Sequence, residues 1–416
     1  MSAIGHLRPS DLHGLSRLSI DGVLGTTELV EQMHYAIGRV AGPSLPSRNG
    51  RTRGITGLVY RSIYGITGLV GATADLAFGQ IVPRLKPAQS TPQRDRMLAV
   101  LNGVLGDHLE ASKNPLALTM SLRHNGQPLS PAPDLLAAQL PQPRRKIAVF
   151  LHGLCMNDRH WTPAGDAPGR ADLPRLLSAT AGYLPLHLRY NTGRRISQNG
   201  RDFADQLEAL LKAWPGPVDE LVLIGHSMGG LVARSACHQA EASRHAWVTK
   251  TRRLITLGSP HHGAPLERIG HLVDRSLALT PFSRPFARLG AIRSAGILDL
   301  RHGNLVDADR QQAGRLGSAR DRRVPLTLPV GLQLFTLGAC LGESATEWRA
   351  RVLGDGLVPV ASALGRHPDP DHPLQLAPAA QQILQGVGHL DLPTRAEAAQ
   401  IVLGWLEGDA YPPIKP

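Results

Sequence analysis

A chain of 416 residues with 42% hydrophobic content can bury one large α/β domain plus an extra segment, and an aromatic share of 4% leaves aliphatic side chains to fill most of the core. The formal charge of +12 comes mainly from singly spaced arginines, without basic runs or interleaved aromatics, so no nucleic-acid partner is expected. Three cysteines, Cys155, Cys237 and Cys340, form no C-x-x-C pair and exclude a disulfide framework; with no secretory leader visible, the expected location is cytoplasmic, with peripheral membrane contact left open.

Residues 1–115 read as an N-terminal helical segment. Leu24 to Val40 carries an apolar stripe (Leu29, Val30, Met33, Ile37, Val40) that stops before Gly42-Pro43, and a Pro/Ser/Arg/Gly linker runs to Gly54. The near-repeat Gly54-Ile55-Thr56-Gly57-Leu58-Val59 and Gly65-Ile66-Thr67-Gly68-Leu69-Val70 has an eleven-residue period, close to three helical turns, which puts both copies on one face. Interior glycines cost such a helix about 0.5 to 1 kcal/mol each, so it needs a partner. Packing on protein is favoured over a membrane surface, because the face lacks the Lys-rich, Trp-anchored character of interfacial helices. No stretch reaches the roughly 18 uninterrupted apolar residues of a membrane span. A third amphipathic helix is predicted over Arg94 to Glu110, with Met97, Leu98, Leu101, Val104, Leu105 and Leu109 in phase.

From Leu116 the pattern changes to strands alternating with helices, and residues 116–410 form the second predicted domain. Strands are expected at Leu116 to Arg123, followed by an Asn125-Gly126 turn, then at Lys146 to Leu151, Leu184 to Tyr190, Glu220 to Ile224, Arg253 to Leu257, Gln333 to Leu337 and Gln382 to Gln385. A Pro-rich linker spans Pro128 to Pro143, and helices fill Gly200 to Trp214, Met228 to Glu241 and Arg395 to Leu406. Such alternation gives a largely parallel sheet with helices on both faces.

One junction carries chemistry. The apolar run Leu221 to Ile224 breaks at Gly225-His226-Ser227-Met228-Gly229-Gly230, and a helix rich in small residues follows. A serine on a strained strand-to-helix turn has its hydroxyl exposed, while Gly225 and Gly229 let the two backbones approach. A serine hydroxyl is a weak nucleophile and needs a base oriented by an acid. Downstream, His389 lies in a glycine-flanked loop after a short strand, and Asp355 lies in the turn Gly354-Asp355-Gly356; Asp391 is the rival acid, too close to His389 to reach it without folding back. For the oxyanion, the Met228 N–H pairs with one from the loop His152-Gly153-Leu154 that follows the Lys146 to Leu151 strand, the Leu154 N–H being the expected donor. His152, Gly153, Gly225 and Gly229 are supporting residues, and His226 is structural or pocket-lining.

These segments, with Gly258-Ser259-Pro260-His261-His262-Gly263 and Gly354-Asp355-Gly356-Leu357-Val358-Pro359, resemble the α/β-hydrolase superfamily over about residues 140 to 408. Within it they are similar to bacterial lipases and esterases and to GPI inositol-deacylase-like lipases, which share T/S-P-H-x-G and D-G-x-V-P signatures. The resemblance implies an α/β-hydrolase fold, with a helical cap insertion and the extra N-terminal helices, and a Ser227, Asp355, His389 triad. Its implied substrate is an ester or lipid. No cofactor is called for. A zinc role for His261 and His262 lacks a third ligand at metal spacing, so no metal is assigned. Residues 263–324, with Leu266, Ile269, Leu272, Val273, Phe282, Phe286, Leu289 and Ile292 in helical phase, read as a cap or lid. The expected activity is that of a serine esterase or lipase working through an acyl-enzyme. Acyl transfer by the same triad is one alternative; a membrane-associated scaffold with an auxiliary hydrolase body is the other.

Overall fold

The computed structural model describes residues 7–41, 51–52, 54–84, 90–163, 165, 167–265, 270, 293–312, 321, 323–342, 353–369, 374 and 376–408. The chain divides into two compact units, residues 1–95 with 109–117 and residues 96–108 with 118–416. The predicted cap helices at Leu266 to Val273 and Phe282 to Ile292 lie outside the described residues, as does most of the linker before Gly54.

In the first unit, α1 (Pro9–Ala41) and α2 (Gly54–Ile81) pack as an antiparallel pair. α1 begins at Pro9, well before the predicted Leu24. Its first turn is fixed by charge: Asp11, fully buried, accepts from Arg94 Nε and Nη2 at 2.6 and 2.7 Å. The seam between the helices is also polar. Asp75 takes His13 Nε2 at 2.8 Å and Arg17 Nε at 3.4 Å, and Glu31 accepts from the Thr52 amide and hydroxyl and from the Tyr64 hydroxyl.

The consequence corrects the expectation that the α2 stripe packs on protein. Because the seam uses the Tyr60, Tyr64, Gly71 and Asp75 side of the helix, Ile55, Ile66, Leu69 and Leu76 point outward and are 65 to 84% exposed. The segment Gly54–Arg84 is also long and apolar enough, by length and composition, to cross a membrane, although it holds no uninterrupted apolar run of that length.

The second unit is built on eight strands: β1 (Ser121–His124), β2 (Gln127–Pro128), β3 (Lys146–Leu151), β4 (Leu184–Arg189), β5 (Glu220–His226), β6 (Thr251–Leu257), β7 (Gln333–Cys340) and β8 (Gln381–Gln385). Their order is β2-β1-β4-β3-β5-β6-β7-β8, parallel throughout from β4 to β8, with β1 antiparallel to both of its neighbours. Asn125 and Gly126, both at positive φ, make the two-residue turn between β1 and β2. The predicted strand from Leu116 starts only at Ser121, because the Leu116 and Leu118 amides are taken by the Asn114 and Asn102 side chains instead of a ladder.

Helices cover both faces. Phe150, Ile224, Leu257 and Leu337 pack with α5 (Leu173–Thr180) and α11 (Ala396–Glu407) in one buried cluster. α6 (Ile196–Lys212) and α7 (Met228–Ala242) pack together on the sheet's other side. α3 (Pro92–Ala111) lies before the predicted boundary near residue 115, yet its residues 96–108 belong to the second unit: its stripe from Met97 to Leu105 is buried, and its Gly103 and Gly106 carbonyls accept from Ser294 and Asn191 of that unit. Three short helices complete the described elements after β6 and β7: α8 (Ala295–His302), α9 (Asp307–Gln312) and α10 (Val360–Ala363). A further one, α4 (Pro133–Gln139), falls in the stretch predicted as linker.

Candidate active site

Five parallel strands deliver the candidate residues to one carboxyl edge, where open α/β sheets place their ligands. β5 runs without a break into Ser227, which stands at φ 53° and ψ −122°, a conformation that non-glycine residues avoid. The turn is held by the Ser227 N–H donating to Leu257 O at 2.9 Å and the Gly230 N–H donating to Ser227 O at 3.1 Å. A methyl at Gly225 would run into the Gly230 amide, and one at Gly229 into the Leu151 carbonyl. Glycine is therefore required at both positions by backbone approach.

Asp355 and His389 come together from loops after β7 and β8. His389 Nδ1 lies 2.7 Å from Asp355 Oδ2, both residues 3% exposed, and the His389 N–H donates to Asp355 O at 3.0 Å. The other carboxylate oxygen, Oδ1, accepts from the Leu357 and Val358 amides at 3.0 and 2.8 Å, which fixes the carboxylate plane. With Oδ2 accepting, Nδ1 carries the proton and Nε2 keeps its lone pair for a substrate or nucleophile proton. Gly258, at the end of β6, sits against this pair: a methyl there would lie 3.1 Å from Asp355 Oδ2 and 3.2 Å from His389 Nδ1. Asp391, the rival acid, turns away to pair with Arg170 and is 44% exposed.

His226 ties the two halves. Its Nε2 donates to the His389 carbonyl at 3.0 Å and its ring centroid lies 4.8 Å from that of His389, so the residue before Ser227 holds the loop that carries His389. Burial pushes the His226 imidazole well below its usual titration range, the neighbouring His389 and His160 adding to the effect, so it stays neutral. His160, which no spacing in the sequence singled out, stacks on His226 with its ring centroid at 5.9 Å.

The candidate oxyanion loop lies directly under the elbow. A methyl at Gly153 would be 3.0 Å from Ser227 Cβ and 3.2 Å from His226 Nδ1, so the His152-Gly153-Leu154 backbone passes in contact with the serine. Leu154 and Met228 are buried, and among the described residues no acceptor is matched with either amide. His152 is buried beside Tyr190, their ring centroids 4.5 Å apart; the Tyr190 hydroxyl donates to the His152 carbonyl at 2.7 Å, and burial lowers the His152 imidazole to about 4. Behind the loop, Asp158 is gripped by Arg189 and Arg123 at 2.5 and 3.1 Å.

The two histidines after β6 separate. His261 is fully buried between Arg234 Nη1 (3.2 Å) and Thr256 Oγ1 (3.1 Å). His262 meets Asp321 and His367, their ligand atoms within 4.8 Å of one another, which supplies the donors the sequence alone did not bring together. Arg323 already provides positive charge there, donating to Asp321 and, at 2.9 Å, to His262 Nδ1.

Residues 145–313 match the family model described as the PGAP1-like alpha/beta domain. No curated protein matches the chain. Among solved structures, Bacillus licheniformis lipase BlEst2 is 17% identical, with 69% of this chain and 98% of that one covered and a TM-score of 0.41. A thermophilic esterase from Thermogutta terrifontis is 15% identical, with coverages of 64% and 90% and a TM-score of 0.33. The Bottromycin epimerase BotH is 16% identical, with coverages of 64% and 92% and a TM-score of 0.32. The family match opens one residue before β3 and spans β3 to β6 together with the strained serine turn.

Proposed function

We propose that the protein is a serine hydrolase of carboxylic esters, of lipase or carboxylesterase type. His389, oriented by Asp355, takes the Ser227 Oγ proton through Nε2 as Oγ attacks the ester carbonyl carbon. The Leu154 and Met228 N–H groups hold the resulting oxyanion, at the start of α7 where the helix dipole also favours negative charge. His389 then passes its proton to the departing alcohol. An acyl-enzyme remains, and water attacks it by the same proton route to free the acid and restore Ser227. The observation that carries this reading is the buried Asp355–His389 pair at 2.7 Å, tied by His226 to the serine turn.

The test is hydrolysis of p-nitrophenyl esters of increasing chain length, with and without detergent micelles. Ser227→Ala removes turnover down to the background that binding and the oxyanion site sustain, with the far-UV spectrum unchanged; retained turnover overturns the assignment. Competing alcohol acceptors in the same assay separate hydrolysis from acyl transfer, because a transferase diverts the acyl group into a new ester.

A further inference from the structure

Within the first unit, none of the described residues covers the outward face of α2. Ile55, Leu58, Ile66, Leu69, Val70 and Leu76 lie along one side of 28 residues and are 55 to 84% exposed. At 1.5 Å per residue the helix is about 42 Å long, more than the roughly 30 Å hydrocarbon thickness of a bilayer. In the same hairpin, Leu29 and Met33 of α1 are also more than half exposed. Monomeric proteins rarely leave an apolar surface of this extent open to water.

The charges say what covers it. The acidic residue of α2, Asp75, is drawn into the seam by His13 and Arg17, so it does not mark the outward face. The exposed charges along the helix are basic: Arg61 on its flank and Arg84 after its end, with Arg51, before its start, lying over the Tyr64 ring on the seam side. Between Arg61 and Asp75 no ionisable group interrupts the helix except Tyr64, whose hydroxyl is turned to Glu31. An apolar stripe bracketed by arginines, with the acid withdrawn, fits acyl chains below and lipid phosphates around it.

We propose that α2 seats this protein on an anionic membrane, its outward stripe lying in the acyl layer and the polar seam with α1 facing water. The charged seam, with Asp75, Arg17 and Glu31, keeps α1 out of the hydrocarbon and makes the arrangement interfacial. The seating does not depend on the reaction at Ser227.

The experiment is flotation of the full chain with vesicles of phosphatidylcholine alone and of phosphatidylcholine mixed with phosphatidylglycerol. The wild type floats with the anionic vesicles, and a double variant, Ile66→Asp with Leu69→Asp, loses about tenfold or more of that partition. Both positions are solvent-facing, so the helical circular-dichroism signal is retained. Ser227→Ala floats like the wild type, which separates this result from any failure of the proposed reaction. A wild-type chain that stays unbound with both vesicles overturns the proposal. So does a discrete wild-type dimer that the double variant converts to monomer without any flotation, an outcome that gives the face to a second copy.

Discussion

At the scale of single residues, the candidate site depends on how few atoms are left free. Asp355 spends Oδ1 on two backbone amides and has Oδ2 for one imidazole, so its carboxylate can hold His389 in only one tautomer. Asparagine at 355 fits the same space but can present an N–H to Nδ1, which stabilises the tautomer whose Nε2 carries the proton and cannot accept one from Ser227. Asp355→Asn is therefore expected to lower kcat for a p-nitrophenyl ester by about 10³- to 10⁴-fold while KM and the thermal midpoint change little. A loss below tenfold would mean that another group orients His389. The Gly-rich approaches around the serine follow the same economy of space. Gly153 has no side chain because Ser227 Cβ and His226 Nδ1 already occupy the volume a methyl would need.

Elements differ in how openly the sequence announces them, and the difference lies in what satisfies their backbones. β3 and α7 are legible almost residue for residue, because a buried parallel strand must be a short apolar run and the elbow glycines mark where it ends. Asp355 and His389 are legible from turn chemistry and chain order, whereas His160 sits in a loop with no periodic or motif signal and meets His226 only through the fold. The Leu116 to Met120 stretch looks like strand but gives its Leu116 and Leu118 amides to Asn side chains, a choice that no local propensity encodes. α2 and α3 make the sharpest contrast, since both carry apolar residues at helical spacing. One stripe is buried and the other is open, and spacing is blind to the partner. Leu101→Ala, in α3 at 0% exposure, should lower stability by about 2 to 5 kcal/mol in urea unfolding, while Leu69→Ala, 69% exposed on α2, should stay within about 0.5 kcal/mol. Equal costs for the two would show that the α2 stripe is covered in solution.

For the molecule as a whole, the second unit folds around histidines that it keeps uncharged. His152, His226 and His261 are 0 to 1% exposed. Burial lowers His152 to about 4 and holds His226 and His261 well below their ordinary value of 6.5. In the unfolded chain the same imidazoles titrate near 6.5. Above that pH both states carry neutral rings and nothing is lost. As the pH falls below 6.5, the unfolded chain takes up protons that the folded one refuses, so stability declines; the share from His152 stops growing near pH 4, where the folded state protonates as well, and the other two continue lower. One to three such protons give a slope of about 1.4 to 4 kcal/mol per pH unit near pH 5.5. All five tryptophans lie within residues 118–416, so fluorescence during urea unfolding follows this unit and not the N-terminal helices. The expected midpoint is flat from pH 8 to 7 and falls steadily from 6.5 toward 4. A flat profile across that lower range would require these imidazoles to be charged inside the folded sheet, with His226 then placing a cation against the ring of His389.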